Sequence, residues 1–246
     1  MRHFIQLSFD GTAYHGWQIQ ENAHSVQAEL NKSLSIVFQR DIQTIGCGRT
    51  DTGVHAKNFY VHFDAELNEE KYPDLIHQLN CMLPLDIALR AIYKVTDAAH
   101  ARFDASSRTY EYLICDHKNP FLRNTAWYYP HSLNIELMNS LSKILMTYED
   151  FSCFSKSRTQ TATNNCTISH AEWNLSGDVL IFQITANRFL RNMVRAIVGT
   201  LVEAGRGRLD QNQFVNILKS KNRSEAGPSV PAHGLSLVDI QYPYLP

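Results

Sequence analysis

The chain has 246 residues, of which 44% are hydrophobic and 19% are charged, so its composition is that of an ordinary globular protein with one large domain or two smaller ones. No segment approaches the roughly 18 uninterrupted apolar residues of a membrane-spanning helix, and the N-terminus lacks the long apolar run of a secretion signal. The five cysteines are scattered without a Cys-x-x-Cys pair, which argues against a disulfide framework and against structural zinc. We therefore expect a cytoplasmic protein with reduced thiols.

The net charge of −1 hides an asymmetry between the two parts of the chain. Residues 1–105 carry 9 basic and 13 acidic residues, whereas residues 106–246 carry 14 basic and 11 acidic residues. An anion-binding surface in the second part and an ordinary solvated face both fit this pattern. The basic stretch comprises Lys156, Arg158, Arg188, Arg191, Arg195, Arg206 and Arg208.

Strands and helices alternate in the first part of the chain. Phe59, Val61 and Phe63 alternate with more polar residues, and this period of two predicts a half-buried strand. Ser25 is a typical helix cap, because its side-chain oxygen can accept a hydrogen bond from the first turn. The other predicted elements are a strand at Phe4–Phe9, a helix after Ser25, a strand at Ile42–Cys47, a helix at Lys71–Met82 and a strand at Ile87–Val95.

The second part has a similar alternation, which predicts an α+β fold with a boundary near His100–Ser107. Asn134 is a predicted helix cap, and Asp210 with Gln213 has the spacing of a capping box. The predicted elements are a strand at Thr109–Cys115, a helix at Ile135–Met146, a hairpin of Ile168–Leu175 with Val179–Thr185, helices at Phe189–Ala204 and Gln211–Leu218, and a strand at Leu235–Ile240.

The most unusual segment is residues 46–56, in which glycines surround an Arg49-Thr50-Asp51 triplet. Glycine allows positive φ and close approach of another backbone, so such a loop can hold Asp51 at a fixed angle in a cleft. A plain turn with a hydrogen-bonding aspartate is the competing interpretation. His55 can be a catalytic base, although a structural hydrogen-bonding histidine is the more common case. The segment lacks the pattern of a phosphate-binding loop.

Two further groups of residues could bind a nucleic acid. Arg108, Tyr110 and Tyr112 fall on one face of their predicted strand, where cations and aromatic rings suit phosphates and stacked bases. Packing of these tyrosines in the core is the alternative. Arg188, Arg191 and Arg195 would line one face of the predicted helix Phe189–Ala204, opposite an apolar stripe.

Taken together, these segments resemble the tRNA pseudouridine synthase A family over nearly the whole chain and in the same order. The similar blocks are Phe9-Asp10-Gly11-Thr12 with Tyr14, Gly16-Trp17-Gln18 and Gln20; Ser25-Val26-Gln27; Gly48-Arg49-Thr50-Asp51 with Gly53-Val54-His55-Ala56; Asn80, Leu83-Pro84 and Asp86-Ile87; Ala101-Arg102-Phe103 with Ala105; Arg108, Tyr110 and Tyr112; Phe189 with Met193-Val194-Arg195; and Gly234-Leu235 with Leu237. Thr52 is a departure, because the family usually has alanine there.

The resemblance implies isomerisation of uridine to pseudouridine in the anticodon arm of tRNA, at positions 38–40. It implies a homodimer that needs neither cofactor nor metal. It also implies two halves, each similar to an RNA-recognition motif, that share a long mixed, largely antiparallel sheet with helices on one side and a basic cleft between the halves. We expect residues 1–105 to carry the catalytic aspartate loop and residues 106–246 to carry the tyrosine strand and the basic helix.

The resemblance also implies roles for individual residues. Asp51 would be the catalytic carboxylate, acting as a nucleophile on the sugar or the base or as a base that removes a proton. Arg195 would be its charge partner, which keeps a buried carboxylate ionised. Tyr110 would stack on the uracil, Leu235 would pack against it, and Arg49 would fill the space of the flipped base or hold a phosphate.

Two other functions compete with this one. A non-catalytic RNA-binding module on the same sheets would not need the glycine-surrounded Asp51. A carboxylate-dependent glycosidase would need a second carboxylate facing the same bond, and Asp10 and Asp104 lack a comparable glycine-rich setting.

Overall fold

A computed structural model describes residues 1–156 and 163–245 of the chain. Arg158, which belongs to the predicted basic stretch, lies outside the described residues. The chain forms two compact units: Met1–Ser106 together with the C-terminal residues from Leu237 onward, and Ser107–Ser236. Both contain strands and helices, which confirms the α+β class.

The elements follow one another in the alternating order that the sequence predicts. Their bounds are β1 Arg2–Phe9, α1 Val26–Phe38, β2 Ile45–Gly46, β3 His55–Asp64, α2 Tyr72–Met82, β4 Ile87–Val95, β5 Ser107–Cys115, β6 Trp127–Tyr128, α3 Ile135–Leu145, β7 Ile168–Ser176, β8 Val179–Ala186, α4 Met193–Gly205, α5 Gln211–Ser220 and β9 Leu235–Gln241, with short 3₁₀ helices at Glu69–Lys71, Ser152–Phe154 and Ala232–Gly234.

The first unit has the strand order β4-β1-β3-β9. β1 pairs antiparallel with both β3 and β4, so that Ile5 lies opposite Val61 on one side and Ile92 on the other. α1 begins at its predicted cap, because the Ser25 side chain accepts a hydrogen bond from the Ala28 N–H. The strand predicted at Ile42–Cys47 is reduced to the two residues of β2.

The prediction that β3 is half-buried is wrong, because both of its faces are covered. Tyr60 and His62, on the face predicted to be polar, are 4% and 3% exposed. The ring of Tyr242 packs edge-to-face on Tyr60 at 5.2 Å between ring centres, and the Ala101 N–H donates to His62 Nδ1 at 3.1 Å. The C-terminal segment and the loop after β4 therefore form a cover that the local pattern of β3 does not encode.

Burial of His62 predicts a loss of stability in mild acid. Burial lowers the pKa of His62 to about 4, so the folded protein keeps this ring neutral while the unfolded chain binds a proton below pH 6.5. We expect the free energy of unfolding to fall as the pH decreases from 6.5 towards 4, with His62 contributing about 2–3 kcal/mol. Urea unfolding at several pH values measures this slope. The His62→Asn variant, which keeps an acceptor for Ala101, should show a shallower slope, and an unchanged slope would contradict the assignment.

In the second unit, β5 pairs antiparallel with β8 and β8 with β7, while the short β6 is parallel to β5. The Asn134 side chain caps α3 as predicted, and the complete capping box of Asp210 and Gln213 opens α5. Gly177, with φ of +57°, makes the predicted turn between β7 and β8. In the described parts of the chain, no helix is long and apolar enough to cross a membrane.

The prediction of a helix over Phe189–Ala204 is wrong at its beginning. α4 starts at Met193, after Asn192 in the left-handed region at φ of 66°. The Asn192 side chain donates to Ser229 Oγ at 2.5 Å, and this contact with a residue 37 positions away holds the turn before the helix. Arg188 and Arg191 therefore precede α4, and they do not share a helical face with Arg195.

Candidate active site

Asp51 lies at the start of a tight turn between β2 and β3. The Val54 N–H donates to the Asp51 carbonyl oxygen at 3.2 Å. Gly53 has φ of +76° and occupies the third position of this four-residue turn, where a positive φ favours glycine. Asp51 is half-buried, whereas Thr52, at the position where the family usually has alanine, is exposed.

The segment before α1 holds this turn in place. The Gly53 N–H donates to the Tyr14 carbonyl oxygen at 3.3 Å, and the Trp17 N–H donates to Thr50 Oγ1 at 3.0 Å. Between them, Gly16 has φ of +88°, and a Cβ atom there would lie 2.2 Å from the Thr50 carbonyl oxygen. Only glycine fits so close to the residue that precedes Asp51.

This close approach makes Gly16 a testable support of the turn. The Gly16→Ala variant should displace the Thr50 carbonyl, lower the free energy of unfolding by about 2 kcal/mol, and lower the activity if Asp51 is the catalytic carboxylate that the sequence predicts. Thermal unfolding and a single-turnover assay measure the two effects. Gly177→Ala is the matched control, because Gly177 has a positive φ but open space around it. Equal effects of the two substitutions would show that the contact with Thr50 is unimportant.

His55 occupies a structural position rather than that of an exposed base. Its side chain is 5% exposed, and the Gly11 N–H donates to its Nδ1 at 3.0 Å. Asp10 Oδ1 lies 3.0 Å from the same nitrogen. Burial alone would raise the pKa of Asp10, but hydrogen bonds from Thr12 outweigh it, and the pKa is lowered. His55 thus ties the end of β1 to the beginning of β3, next to the Asp51 turn.

The tyrosines of β5 have different surroundings. Tyr112 is fully buried, and its hydroxyl donates to the Pro231 carbonyl oxygen at 2.9 Å. Burial raises the pKa of Tyr112, and the nearby positive charge of Arg195 opposes the shift. Tyr110 is half-buried, and its ring packs edge-to-face on Phe189 at 5.2 Å. Tyr112 is therefore a core residue, as the alternative interpretation held, while Tyr110 keeps an accessible surface.

Arg195 is held in place by the segment that follows α5. Its Nε donates to the Val230 carbonyl oxygen at 2.8 Å, and the Val230 N–H donates back to the Arg195 carbonyl oxygen at 3.3 Å. This segment passes very close to α4, because a Cβ at Gly199 would lie 1.7 Å from the Pro228 carbonyl oxygen. The backbone and the Nε atom of Arg195 are therefore held in fixed positions within its unit.

Leu235, the predicted apolar contact to the base, is 6% exposed at the first position of β9. The preceding Gly234 lies against the ring of Tyr112, where a Cβ would be 2.6 Å from the ring carbon Cζ. Arg49 is exposed two residues before Asp51. Asp51 and Arg49 thus belong to the first unit, and Tyr110, Arg195 and Leu235 to the second.

The residues of the predicted basic stretch have different surroundings. Arg206 and Arg208 both form ion pairs with Glu203, at 3.3 and 3.2 Å. Lys156 and Arg191 are exposed, and the Lys156 N–H donates to the Arg191 carbonyl oxygen at 3.2 Å, which brings the two residues together. Lys156 and Arg191 are therefore exposed neighbours, and both are candidates for contacts with an anion.

Two supports of the site are not predicted from the sequence. Gly16 belongs to the first of the similar blocks, and its position beside Thr50 requires the folded chain. Val230 carries no chemical signal at all, because it acts through its backbone. Among residues 1–156 and 163–245, no group of three or more His, Cys, Asp or Glu side chains could hold a metal ion.

Comparisons with known proteins agree with the resemblance. Residues 146–243 match the family model described as tRNA pseudouridine synthase. The chain is 48% identical over 245 residues to tRNA pseudouridine synthase A of Parabacteroides distasonis, covering 98% of this chain and 96% of that protein. It is 46% identical over 243 residues to the Bacteroides fragilis protein of that name, with 98% and 96% covered, and 39% identical over 242 residues to that of Thermoanaerobacter pseudethanolicus, with 97% and 98% covered. The chain therefore belongs to the tRNA pseudouridine synthase A family, and it is a pseudouridine synthase, an isomerase.

Proposed function

We propose that the protein converts uridine to pseudouridine at positions 38–40 in the anticodon arm of tRNA, with Asp51 as its single catalytic carboxylate. The names of its relatives support tRNA as the substrate. The observation that supports the role of Asp51 is that this half-buried residue begins a turn fixed by close contacts to Tyr14, Gly16 and Trp17. A carboxylate on such a support is held in one orientation before the substrate arrives.

The isomerisation of uridine needs only side-chain groups that act as nucleophiles or that accept and donate protons. The N1–C1′ bond of uridine breaks, the uracil turns, C5 bonds to C1′, and the proton on C5 moves to N1 by way of an acceptor. Atoms and electrons balance without oxidation or hydrolysis, so neither a redox cofactor nor an activated water takes part. Asp51 can act as a nucleophile on the sugar or the base, or as the base that removes a proton.

The other site residues would act on the charge and position of the reacting groups. We assign to Arg195 the counter-charge that keeps the Asp51 carboxylate ionised once RNA excludes water. Tyr110 would stack on the uracil and assist the late transfer of the C5 proton, and Leu235 would pack against the base. Arg49 would hold a phosphate or fill the space left by the flipped nucleotide. Flipping costs a few kcal/mol, which binding of the arm must offset.

The proposal extends to the architecture that the resemblance implies. Residues 1–105 would form a half carrying the Asp51 turn, and residues 106–246 a half carrying Tyr110 and Arg195. Each half would be similar to an RNA-recognition motif, with a basic cleft between them, and the enzyme would work as a cytoplasmic homodimer without cofactor or metal.

A direct test incubates the protein with an unmodified tRNA transcript and maps pseudouridine by carbodiimide labelling, because the isomerisation leaves the mass unchanged. The expected result is conversion at one or more of positions 38–40, with or without a chelator. Tight tRNA binding without conversion would instead identify a non-catalytic RNA-binding module. Conversion only at other positions would contradict the anticodon-arm assignment.

The exposed cations Lys156 and Arg191 predict a salt-dependent affinity for tRNA. Each phosphate contact to duplex RNA or DNA changes the slope of log K against log salt by somewhat less than one unit. Replacing both residues by glutamine should therefore make the slope shallower by about 1–2 units, as measured by binding titrations between 50 and 300 mM salt. The control replaces Arg206 and Arg208, which pair with Glu203, and should change the slope less. Equal slopes for the two double variants would contradict this choice of contacts.

A further inference from the structure

The loop between β4 and β5 presents an aromatic ring to solvent. Phe103 is 74% exposed. The neighbouring Arg102 is also exposed, and its guanidinium carbon lies 5.7 Å from the centre of the Phe103 ring. Single exposed apolar side chains are common on proteins, so exposure by itself carries no function. What indicates a function is the way in which the loop beneath the ring is held.

Hydrogen bonds fix this loop from both of its ends. The His100 N–H and the Tyr244 hydroxyl both donate to Asp104 Oδ2 at 2.7 Å. The Tyr242 hydroxyl donates to the Ala101 carbonyl oxygen at 2.5 Å. The hydrogen bond from the His100 backbone lowers the pKa of Asp104, so the accepting carboxylate stays ionised at neutral pH. The C-terminal segment therefore holds Arg102 and Phe103 in one conformation.

Phe103 also rests on other rings. His62 is buried, and the centre of the His100 ring lies 4.7 Å from the centre of the His62 ring. The centre of the Phe103 ring lies 4.3 Å from that of His100, and the two ring planes are tilted by 34°. His100 Nδ1 further accepts from the Phe103 N–H at 3.3 Å. Burial lowers the pKa of both histidines, so these rings are neutral at pH 7. We call His62, His100 and Phe103 the ring column; it runs from the core to the surface and ends in Phe103.

We propose that Phe103 is a stacking platform for an unpaired base of the RNA substrate, with Arg102 beside it to meet a phosphate. This inference rests on the proposed function. Single-stranded RNA is bound by aromatic side chains on which bases stack, together with cations that follow the backbone. A ring that is already immobilised loses little entropy when a base stacks on it. The ring column supplies that immobilisation, and a base would extend the column by one further ring.

The surroundings of Phe103 favour RNA over a second protein surface. A specific protein interface buries roughly 800 Å² on each partner around an apolar centre. The exposed residues next to Phe103 in this loop are Arg102 and Ser106, which are polar. One ring beside one cation matches the size of a nucleotide, which offers one base and one phosphate.

The test measures the affinity of the full-length protein for an unmodified tRNA transcript and for a short single-stranded oligouridine. Phe103→Ala should weaken both complexes by about tenfold to a hundredfold, the range measured when stacking side chains are truncated. Phe103→Tyr keeps the ring and should restore an affinity close to that of the wild type. Phe121→Ala is the matched control, because it removes a ring that is 94% exposed in another loop, and it should leave both affinities unchanged.

The outcomes separate this inference from the proposed function. Loss of affinity in Phe103→Ala with an unchanged melting temperature supports the platform, even if the wild type fails to isomerise uridine. Unchanged affinity for both RNAs overturns the platform and leaves the proposed function standing. A change in the molar mass of Phe103→Ala, measured without RNA, has the same consequence, because it would assign the ring to a contact with a second copy of the chain. A wild-type protein that binds neither RNA overturns both.

Discussion

Replacing Asp51 by asparagine should abolish the isomerisation of uridine while leaving the fold and the affinity for tRNA close to those of the wild-type protein. The amide has the shape of the carboxylate but lacks the negative charge and the basicity that cleavage of the N1–C1′ bond requires. The turn should survive, because its closing hydrogen bond uses the backbone oxygen of residue 51. We expect the single-turnover rate to fall by roughly 1,000-fold or more.

Rates of pseudouridine formation and tRNA affinities for the two proteins measure this expectation. The matched control is Asp41→Asn, which removes an exposed carboxylate from the same unit and should keep the wild-type rate. Turnover by Asp51→Asn above a few per cent of the wild-type rate would exclude Asp51 as the catalytic carboxylate, whatever its effect on binding.

The second large effect is expected from Arg195→Gln. A carboxylate enclosed by RNA takes up a proton unless an opposite charge lies near it. We therefore expect kcat at pH 7 to fall about 100-fold and the acidic limb of the pH profile to move to higher pH.

The pH profile distinguishes a charge partner from a residue that only supports the fold. Arg195 also donates to Val230, so its replacement could lower activity through the local backbone, but a purely structural loss would leave the acidic limb in place. Arg206→Gln is the control, because Arg206 lies just after the same helix and pairs with Glu203. An unmoved acidic limb in Arg195→Gln would contradict the assigned role.

The helix caps were predictable from the sequence because capping is a local interaction. Ser25, Asn134 and Asp210 each accept a backbone hydrogen bond from the residue three positions further along, so residue type and spacing are sufficient. The hairpin around Gly177 has the same local origin, because the turn needs a residue with positive φ.

The burial of β3 and the late start of α4 differ from the prediction because of contacts between residues that are distant in sequence. The polar face of β3 is buried because Tyr242, near the C-terminus, packs on Tyr60. The beginning of α4 is set by the hydrogen bond from Asn192 to Ser229. Periodicity within a window of about 15 residues contains no information on either contact.

The residues of the candidate site also differ in whether the sequence alone can identify them. The family blocks and the glycine pattern single out Asp51, the residue to which we assign the chemistry. Gly16 and Val230 support Asp51 and Arg195 through backbone geometry. Such supports become visible only when the chain is folded, because any residue can offer a carbonyl oxygen.

We propose that one active site uses Asp51 from residues 1–105 together with Tyr110 and Arg195 from residues 106–246. The most direct test is the distance between the Arg195 guanidinium and the Asp51 carboxylate in a crystal structure of the protein. We expect a separation within about 6 Å, the range over which a charge partner acts strongly on a carboxylate. A larger separation with RNA bound at the Asp51 turn would contradict the claim and would leave residues 106–246 with a binding role alone.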